Sequence, residues 1–236
     1  DYETALEYFA RSLIITEESG DKYGIGYSLG SIGIVYAEKG DYDKALAYYE
    51  RSLEIRAELG DKSVVGVSLN NIGRLHRDKG DYEKALDYME RSLAIFEEIG
   101  DKQGIGFCLF RFGNVYAEKG DYDTALDYFE RSLAIQKEIG TKAFELLTTT
   151  YLYLAYNHLG KQYNEKTIHT LIKESEEKIG PITNYRLFEL LEDTSYLETA
   201  YNQIQEKASA MEEKYKVKFL GYPIPKVIVE EWEKVK

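Results

Sequence analysis

DYEKALDYMERSLAIFEEIGDKQGIGFCLFRFGNVYAEKG, running from Asp81 to Gly120, decides how this chain is read, because the sequence keeps returning to it. Asp1–Gly20, Asp41–Gly60 and Asp121–Gly140 echo its first half, and Asp21–Gly40 and Asp61–Gly80 echo its second. Tyr2, Tyr42, Tyr82 and Tyr122 therefore hold one position in successive copies, as do Ala5, Ala45, Ala85 and Ala125, and Gly20, Gly60, Gly100 and Gly140. A fixed period of 40 residues is the mark of a stacked array, in which each unit buries its apolar face only against its neighbours.

Within a unit the apolar period is helical. Leu29, Ile32, Gly33 and Tyr36 recur at helix spacing, and then Lys39-Gly40-Asp41 breaks the run. Tyr42, Ala45, Leu46, Tyr49, Leu53 and Ile55 form a second run that stops at Gly60. Glycine suits the left-handed residue that closes a helix, and the aspartate after it can cap the next. Joints this short force antiparallel neighbours. The mid-helix glycines Gly33, Gly73 and Gly113 predict close helix contact, with Ala45, Ala85 and Ala125 as the small surfaces opposite.

The reading is an all-α, right-handed α-solenoid of antiparallel helix pairs over residues 1–180. It comprises a half repeat at 1–20 and repeats at 21–60, 61–100, 101–140 and 141–180. A degenerate helix pair and a capping helix follow at 181–236. In the fifth unit the second helix keeps Ile168, Leu171, Ile172 and Ile179 on one face, while Lys166 stands where alanine is expected. Tyr185–Leu191 reads as a short helix, and Thr194-Ser195 as the cap of one from Tyr196 to about Lys216. Phe219–Pro225 reads as extended because of its prolines, before a last helix in which Trp232 packs the tail against its neighbours.

Thirty Lys and Arg against 42 Asp and Glu give a net charge of −12, which argues against nucleic acid or an anionic membrane as partner. The single cysteine, Cys108, implies no oxidising compartment, and no apolar run is long enough to span a bilayer. No basic-then-apolar leader opens the sequence, so a cytoplasmic setting is expected. The first residues enter in mid-repeat, which predicts further sequence upstream. Gly24-Ile25-Gly26 and Gly104-Ile105-Gly106 follow no strand, so packing rather than phosphate binding explains them. His76, His158 and His169 lack a second ligand at metal spacing and read as solvated or groove-lining. No catalytic constellation can be assembled; neither an enzyme nor a cofactor or metal is expected.

The order Leu29-x-x-Ile32-Gly33-x-x-Tyr36, then Gly40-x-Tyr42-x-x-Ala45-x-x-x-Tyr49-x-x-Ser52, resembles the tetratricopeptide repeat. Leu69, Ile72, Gly73, Leu75, Tyr82, Ala85, Met89 and Ser92 repeat it, as do Leu109, Phe112, Gly113, Tyr116, Tyr122, Ala125, Phe129 and Ser132. Leucine replaces the pattern's tryptophan-like residue. The 40-residue length is similar to the variant of kinesin light chains and some bacterial signalling proteins. The resemblance covers about residues 1–160.

The resemblance implies a non-catalytic scaffold binding a peptide in a concave groove lined by the first helix of each unit. Its register places Tyr27, Gly30, Ser31, Ile34, Val67, Asn70, Asn71, Arg74, Arg77, Phe107, Phe110, Arg111, Asn114, Leu147, Thr150, Tyr151, Leu154 and His158 there. Asparagines Asn70, Asn71 and Asn114 can hold a peptide backbone in both directions. Arg74, Arg77 and Arg111 favour acidic residues, and Phe107, Phe110 and Tyr151 an apolar one. Asn71 and Arg111 match two positions of the family's carboxylate clamp, but Gly30, Ile34 and Phe107 occupy others, so the clamp is incomplete. Two rival readings stand beside this one. The chain is a regulatory segment of a larger signalling enzyme, such as a nucleotide cyclase fusion, to whose ends Tyr222–Val235 is similar; or it associates end to end as a homo-oligomer through the helix of 1–20.

Overall fold

The structure, a computed structural model, describes residues 2–175, 179–211, 213–221 and 223–236. Among these the regular elements are all helices: α1 (Tyr2–Ser19), α2 (Lys22–Glu38), α3 (Tyr42–Glu58), α4 (Lys62–Asp78), α5 (Tyr82–Ile99), α6 (Lys102–Glu118), α7 (Tyr122–Ile139), α8 (Lys142–His158), α9 (Glu165–Glu174), α10 (Pro181–Leu191), α11 (Thr194–Ser209), α12 (Glu213–Leu220) and α13 (Pro223–Val235). They form two compact units, Asp1–Arg111 and Phe112–Lys236, with the boundary inside α6.

The Gly-Asp joints work as the residue types require. Gly40, Gly60, Gly80 and Gly100 all take positive φ, between 69° and 79°. Behind each, the next aspartate donates its backbone N–H to a carbonyl five residues back, as Asp41 does to Tyr36 at 2.9 Å. Its carboxylate then caps the following helix, Asp81 accepting from the Lys84 N–H at 3.3 Å. One dipeptide thus ends one helix and starts the next.

In the first unit, Ala37, Ala45, Tyr49, Ile72 and Leu75 form a core, with Tyr36, Tyr42, Leu46, Leu53 and Tyr88 against it. The mid-helix glycines mark close approach, but the surface opposite is the large residue of the next helix. A Cβ on Gly33 would stand 2.8 Å from the Tyr49 ring; one on Gly73 would meet Met89 Cγ at 2.9 Å and the Ala85 carbonyl at 3.0 Å. Alanine is small at 45 and 85 so that the chains approach, and the longer side chain one turn on fills the hole left by glycine. At the other end of the pair, Ser52 and Ser92 donate to the Gly26 and Gly66 carbonyls, each at 2.7 Å. Phe96 fills the space above Gly66 and Gly104, so these glycines serve packing. Lys22–Glu58 and Lys79–Asp43 add ion pairs at 2.7 and 2.5 Å, and Lys62–Glu98 repeats the first. Pairs this exposed are screened by water and add little to stability.

His76 is neither solvated nor groove-lining. It stacks on Tyr88 with centroids 5.5 Å apart and its side chain is 12% exposed, the packing that Tyr36 makes with Tyr48.

In the second unit Phe129 closes over Gly113. Gln136 is fully buried and donates to Ser132 Oγ at 2.7 Å and Thr148 Oγ1 at 2.8 Å. Further along, Leu187, Leu197, Ala200 and Ile228 are buried, and Trp232 stacks on Tyr201 at 5.4 Å, which packs α13 on α11.

Several boundaries differ from the sequence expectation. Helix α9 stops at Glu174, so Ile179 lies outside it; its carbonyl instead accepts from Asn184 and Gln203. Asp193, not Thr194 or Ser195, caps α11, accepting from the Ser195 N–H at 2.9 Å. That helix ends at Ser209, whose hydroxyl bonds back to the Glu206 carbonyl and competes with the helical partner. The segment read as extended is mostly helical: Phe219 and Leu220 close α12, and α13 starts at Pro223. Both prolines fall in its first turn, where a missing N–H loses no intrahelical bond. Tyr222 lies outside the described residues.

Candidate functional site

The 40-residue period places three rows of side chains along α2, α4 and the first part of α6. Tyr27, Val67 and Phe107 make the first row. Tyr27 is 63% and Val67 48% exposed, and the Arg111 guanidinium lies 4.7 Å over the Phe107 ring. Asn71 and Arg111 belong to the next row and are partly exposed. Ile34 and Arg74 open the third; Ile34 is 46% exposed.

Between these rows, Asn70 and Phe110 are interior, at 2% and 5% exposure. The Asn70 amide donates to Cys108 Sγ at 2.9 Å, and the same sulfur lies 3.3 Å from Ser92 Oγ. A polar residue that reads as outward-facing is thus turned inward by a partner on the next repeat. Burial pushes the Cys108 thiol pKa up, so the sulfur stays protonated.

Arg74 and Arg77 share one carboxylate. Arg74 Nη1 donates to Asp78 Oδ2 at 3.2 Å, and Arg77 donates to Asp78 Oδ1 through Nη2 at 2.6 Å and Nε at 3.0 Å. Tyr42 and Tyr49 complete the cluster. Burial raises the pKa of the Tyr49 hydroxyl against the opposing pull of Arg74 and Arg111. At Tyr42, burial and then Asp78 raise it, opposed by Arg74 and Arg77. The first unit therefore gathers Arg74, Arg77 and Asp78 with Tyr42 and Tyr49, while Arg111 covers Phe107. Asp78 was missed in the sequence although its spacing of four from Arg74 signals an ion pair.

The second unit holds Asn114 and Tyr151. Asn114 is 3% exposed, and its Oδ1 has no hydrogen-bond partner. Tyr151 is partly exposed, tilted onto Phe129 at 6.0 Å, and its hydroxyl accepts from Arg186 Nε at 3.2 Å. The Arg186 guanidinium also lies 5.3 Å over that ring and pairs with Glu189 at 2.5 Å. No periodic position announces Arg186, because α10 has lost the repeat pattern.

Among the described residues no group of three His, Cys, Asp or Glu is placed to hold a metal, and no helix is long and apolar enough to cross a membrane.

Comparisons with known proteins follow the same lines. Similar solved structures include a Rap protein complexed with Competence and Sporulation Factor, at 17% identity and TM-score 0.66 over all of this chain and 72% of that one. A Signal Transduction ATPase with Numerous Domains from Pyrococcus horikoshii, which carries a tetratricopeptide repeat sensor, matches at 19% identity and TM-score 0.62 over 98% of this chain and 34% of that one. A kinesin light chain type protein of Podosopora anserina, with nearly identical TPR-like repeats, matches at 15% identity and TM-score 0.56 over 81% of this chain and 89% of that one. At these identities the likeness is one of fold. No match was found among curated protein sequences. The tetratricopeptide repeat model matches residues 1–58 and 64–138, more than half of the chain, and describes a helical repeat rather than a catalytic fold. The chain belongs to the tetratricopeptide repeat family.

Proposed function

We propose that this chain is a protein-interaction scaffold whose first unit takes a peptide on the face formed by α2, α4 and the start of α6. The observation that carries the proposal is a row of apolar side chains in which Tyr27 and Val67 are exposed and Phe107 is half-buried beneath the Arg111 guanidinium. Apolar side chains in register across three repeats, two of them exposed, are an anchor for an apolar residue of the ligand. Arg74 and Arg111 select an acidic neighbour, and Asn71 offers both donor and acceptor to its backbone. Each such bond contributes only about 0.5–1.5 kcal/mol, so affinity depends on the apolar row. The Rap neighbour, which is complexed with a factor, supports this use of the fold. We assign residues 1–180 to the array and 181–236 to its cap.

The test is a peptide-library capture with the unaltered protein and an Arg74→Glu, Arg111→Glu double variant. Acidic-apolar peptides should be retained by the first and lost from the second. Equal retention by both rejects the site.

A second reading, in which the chain is the sensing segment of a larger signalling protein, is favoured by the Pyrococcus neighbour, whose repeat sensor is one part of a longer polypeptide. The coding sequence adjoining this segment decides it; a neighbourhood of repeats alone removes it.

A further inference from the structure

Gly30 is a departure from the period that packing does not explain. Asn70 holds its place in the third repeat, Phe110 in the fourth and Thr150 in the fifth, so the helix there accepts a side chain. Those three are interior, at 2%, 5% and 0% exposure, whereas Gly30 is itself partly exposed. A Cβ on Gly30 would meet one atom within 4 Å beyond its own helix backbone, Ser52 Oγ at 3.3 Å. Ser92 stands to Asn70 as Ser52 does to Gly30, so that contact does not demand glycine. Glycine in mid-helix is also less stable than the residues that replace it. What it leaves unfilled is visible one repeat on, where the Asn70 side chain crosses from α4 to Cys108 on α6. The period makes Ser68 the counterpart of Cys108, so the corresponding gap lies between Gly30 on α2 and Ser68 on α4. Cys108 is fully buried, while Ser68 remains 7% exposed. The two hydroxyls that border the gap are already engaged: Ser52 donates to the Gly26 carbonyl at 2.7 Å and Ser68 to the Val64 carbonyl at 2.8 Å. Its rim is apolar, with the exposed Tyr27 one turn before Gly30 and the exposed Ile34 one turn after.

We propose that this gap takes a leucine side chain of the bound peptide, an assignment that rests on the peptide-face reading and names the apolar residue which that face selects. Leucine has the shape of the asparagine that fills the same place one repeat on. Neither bordering hydroxyl has a proton left to give, so an apolar occupant loses nothing that a polar one would gain. Arg74 holds the place of Ile34 on α4, which puts the cationic end of the face beside the gap. A segment with leucine next to an acidic residue therefore complements this face in both shape and charge.

The experiment uses the whole protein and N-acetyl-leucinamide, with N-acetyl-asparaginamide as a probe of the same shape that is polar. Amide NMR shifts are followed as each is added. N-acetyl-leucinamide should move the amides around Gly30 and Ser68 saturably, and N-acetyl-asparaginamide should not. Gly30→Asn, which installs the residue of the third repeat, should weaken N-acetyl-leucinamide binding about tenfold while the protein melts no lower than before. Gly30→Ala, which fills less of the gap, should weaken it less. The Arg74→Glu, Arg111→Glu double variant should bind N-acetyl-leucinamide as before, since neither arginine borders the gap. In peptide-library capture the unaltered protein should enrich leucine, and Gly30→Asn should not. Saturable N-acetyl-leucinamide binding with no library peptide retained supports the subsite and rejects the peptide face. Retention of acidic-apolar peptides without a preference for leucine keeps the face and overturns the subsite. Equal shifts from the two probes, or undiminished binding to Gly30→Asn, overturn it as well.

Discussion

In the third repeat the inner face of α4 is Leu69, Ile72 and Leu75, none more than 2% exposed; in the fifth the place of Leu69 is taken by Thr149, and that of Val65 by Glu145. Met89 and Phe96 fill the space beneath α4, whereas Gln136, the counterpart of Phe96, meets α8 with an amide. The hydroxyl of Thr149 and one oxygen each of Glu145 and Gln136 are buried without hydrogen bonds. The first helices of the two repeats, α4 and α8, are both 17 residues long and follow the same Gly-turn geometry, with Gly60 and Gly140 at φ 70° and 75°. Helix ends are therefore specified by the joints, and the interior is free to change its chemistry between one repeat and another. The third repeat shows what stability alone selects. The fifth carries polar atoms that stability would not choose.

Exchanging the two interiors breaks this contrast most sharply. Leu69→Thr should lower stability by about 2–5 kcal/mol, because it removes buried methyl groups and adds a hydroxyl. Thr149→Leu, the reverse exchange, should be neutral or stabilising, since it removes a hydroxyl that has no partner. Chemical denaturation of both variants measures the difference. Similar losses in both would mean that the fifth repeat is packed around its threonine as tightly as the third around its leucine.

A smaller effect is expected at the helix crossing. Gly73→Leu should cost about 1–3 kcal/mol by overpacking. Met89 can rotate away, but the Ala85 carbonyl is backbone and cannot yield without moving α5. An unchanged melting temperature would show that α4 and α5 slide apart freely.

Much of this was readable in the sequence, for a particular reason. Gly40-Asp41 and its copies carry a backbone requirement that few residues meet, so the joint and both flanking helices follow from it. Leu69, Gly73 and Ala85 are legible because each recurs at one place with one size. Side-chain direction within a row is less so. Asn70 is polar and reads as facing outward, yet Cys108 offers it an interior acceptor from the next repeat. Arg74 and Arg77 read as a cationic pair, and only their joint hold on Asp78 shows that one carboxylate serves both. Glu145 was passed over because its burial is imposed by α9, twenty residues further along. Past α9 the period fails, and local rules alone misplaced the turn before α13: avoidance of helix before proline yields where the proline itself sits in a first turn.

The smallest effect concerns a stacking position at which the third repeat departs from its neighbours. Tyr36 stacks on Tyr48, and Tyr116 on Tyr128, but at the same place His76 stacks on Tyr88. Burial pushes the His76 pKa below its usual 6.5; Asp81, 3.7 Å from Nδ1, opposes this, Lys84 and Lys79 reinforce it, and Glu50 opposes it weakly. The folded chain thus resists a proton that the unfolded chain accepts. Above the unfolded value both states are neutral and no stability is at stake; as pH falls through 6.5 the unfolded state gains protons first, and stability declines until His76 protonates in the folded state as well. Carboxylates titrate at lower pH and contribute a background common to any variant. His76→Tyr restores the residue of the second and fourth repeats and removes this contribution alone. The Tm of the unaltered protein should fall more between pH 7.5 and 5.5 than that of His76→Tyr; parallel curves would mean that the ring accepts its proton in place, held by Asp81.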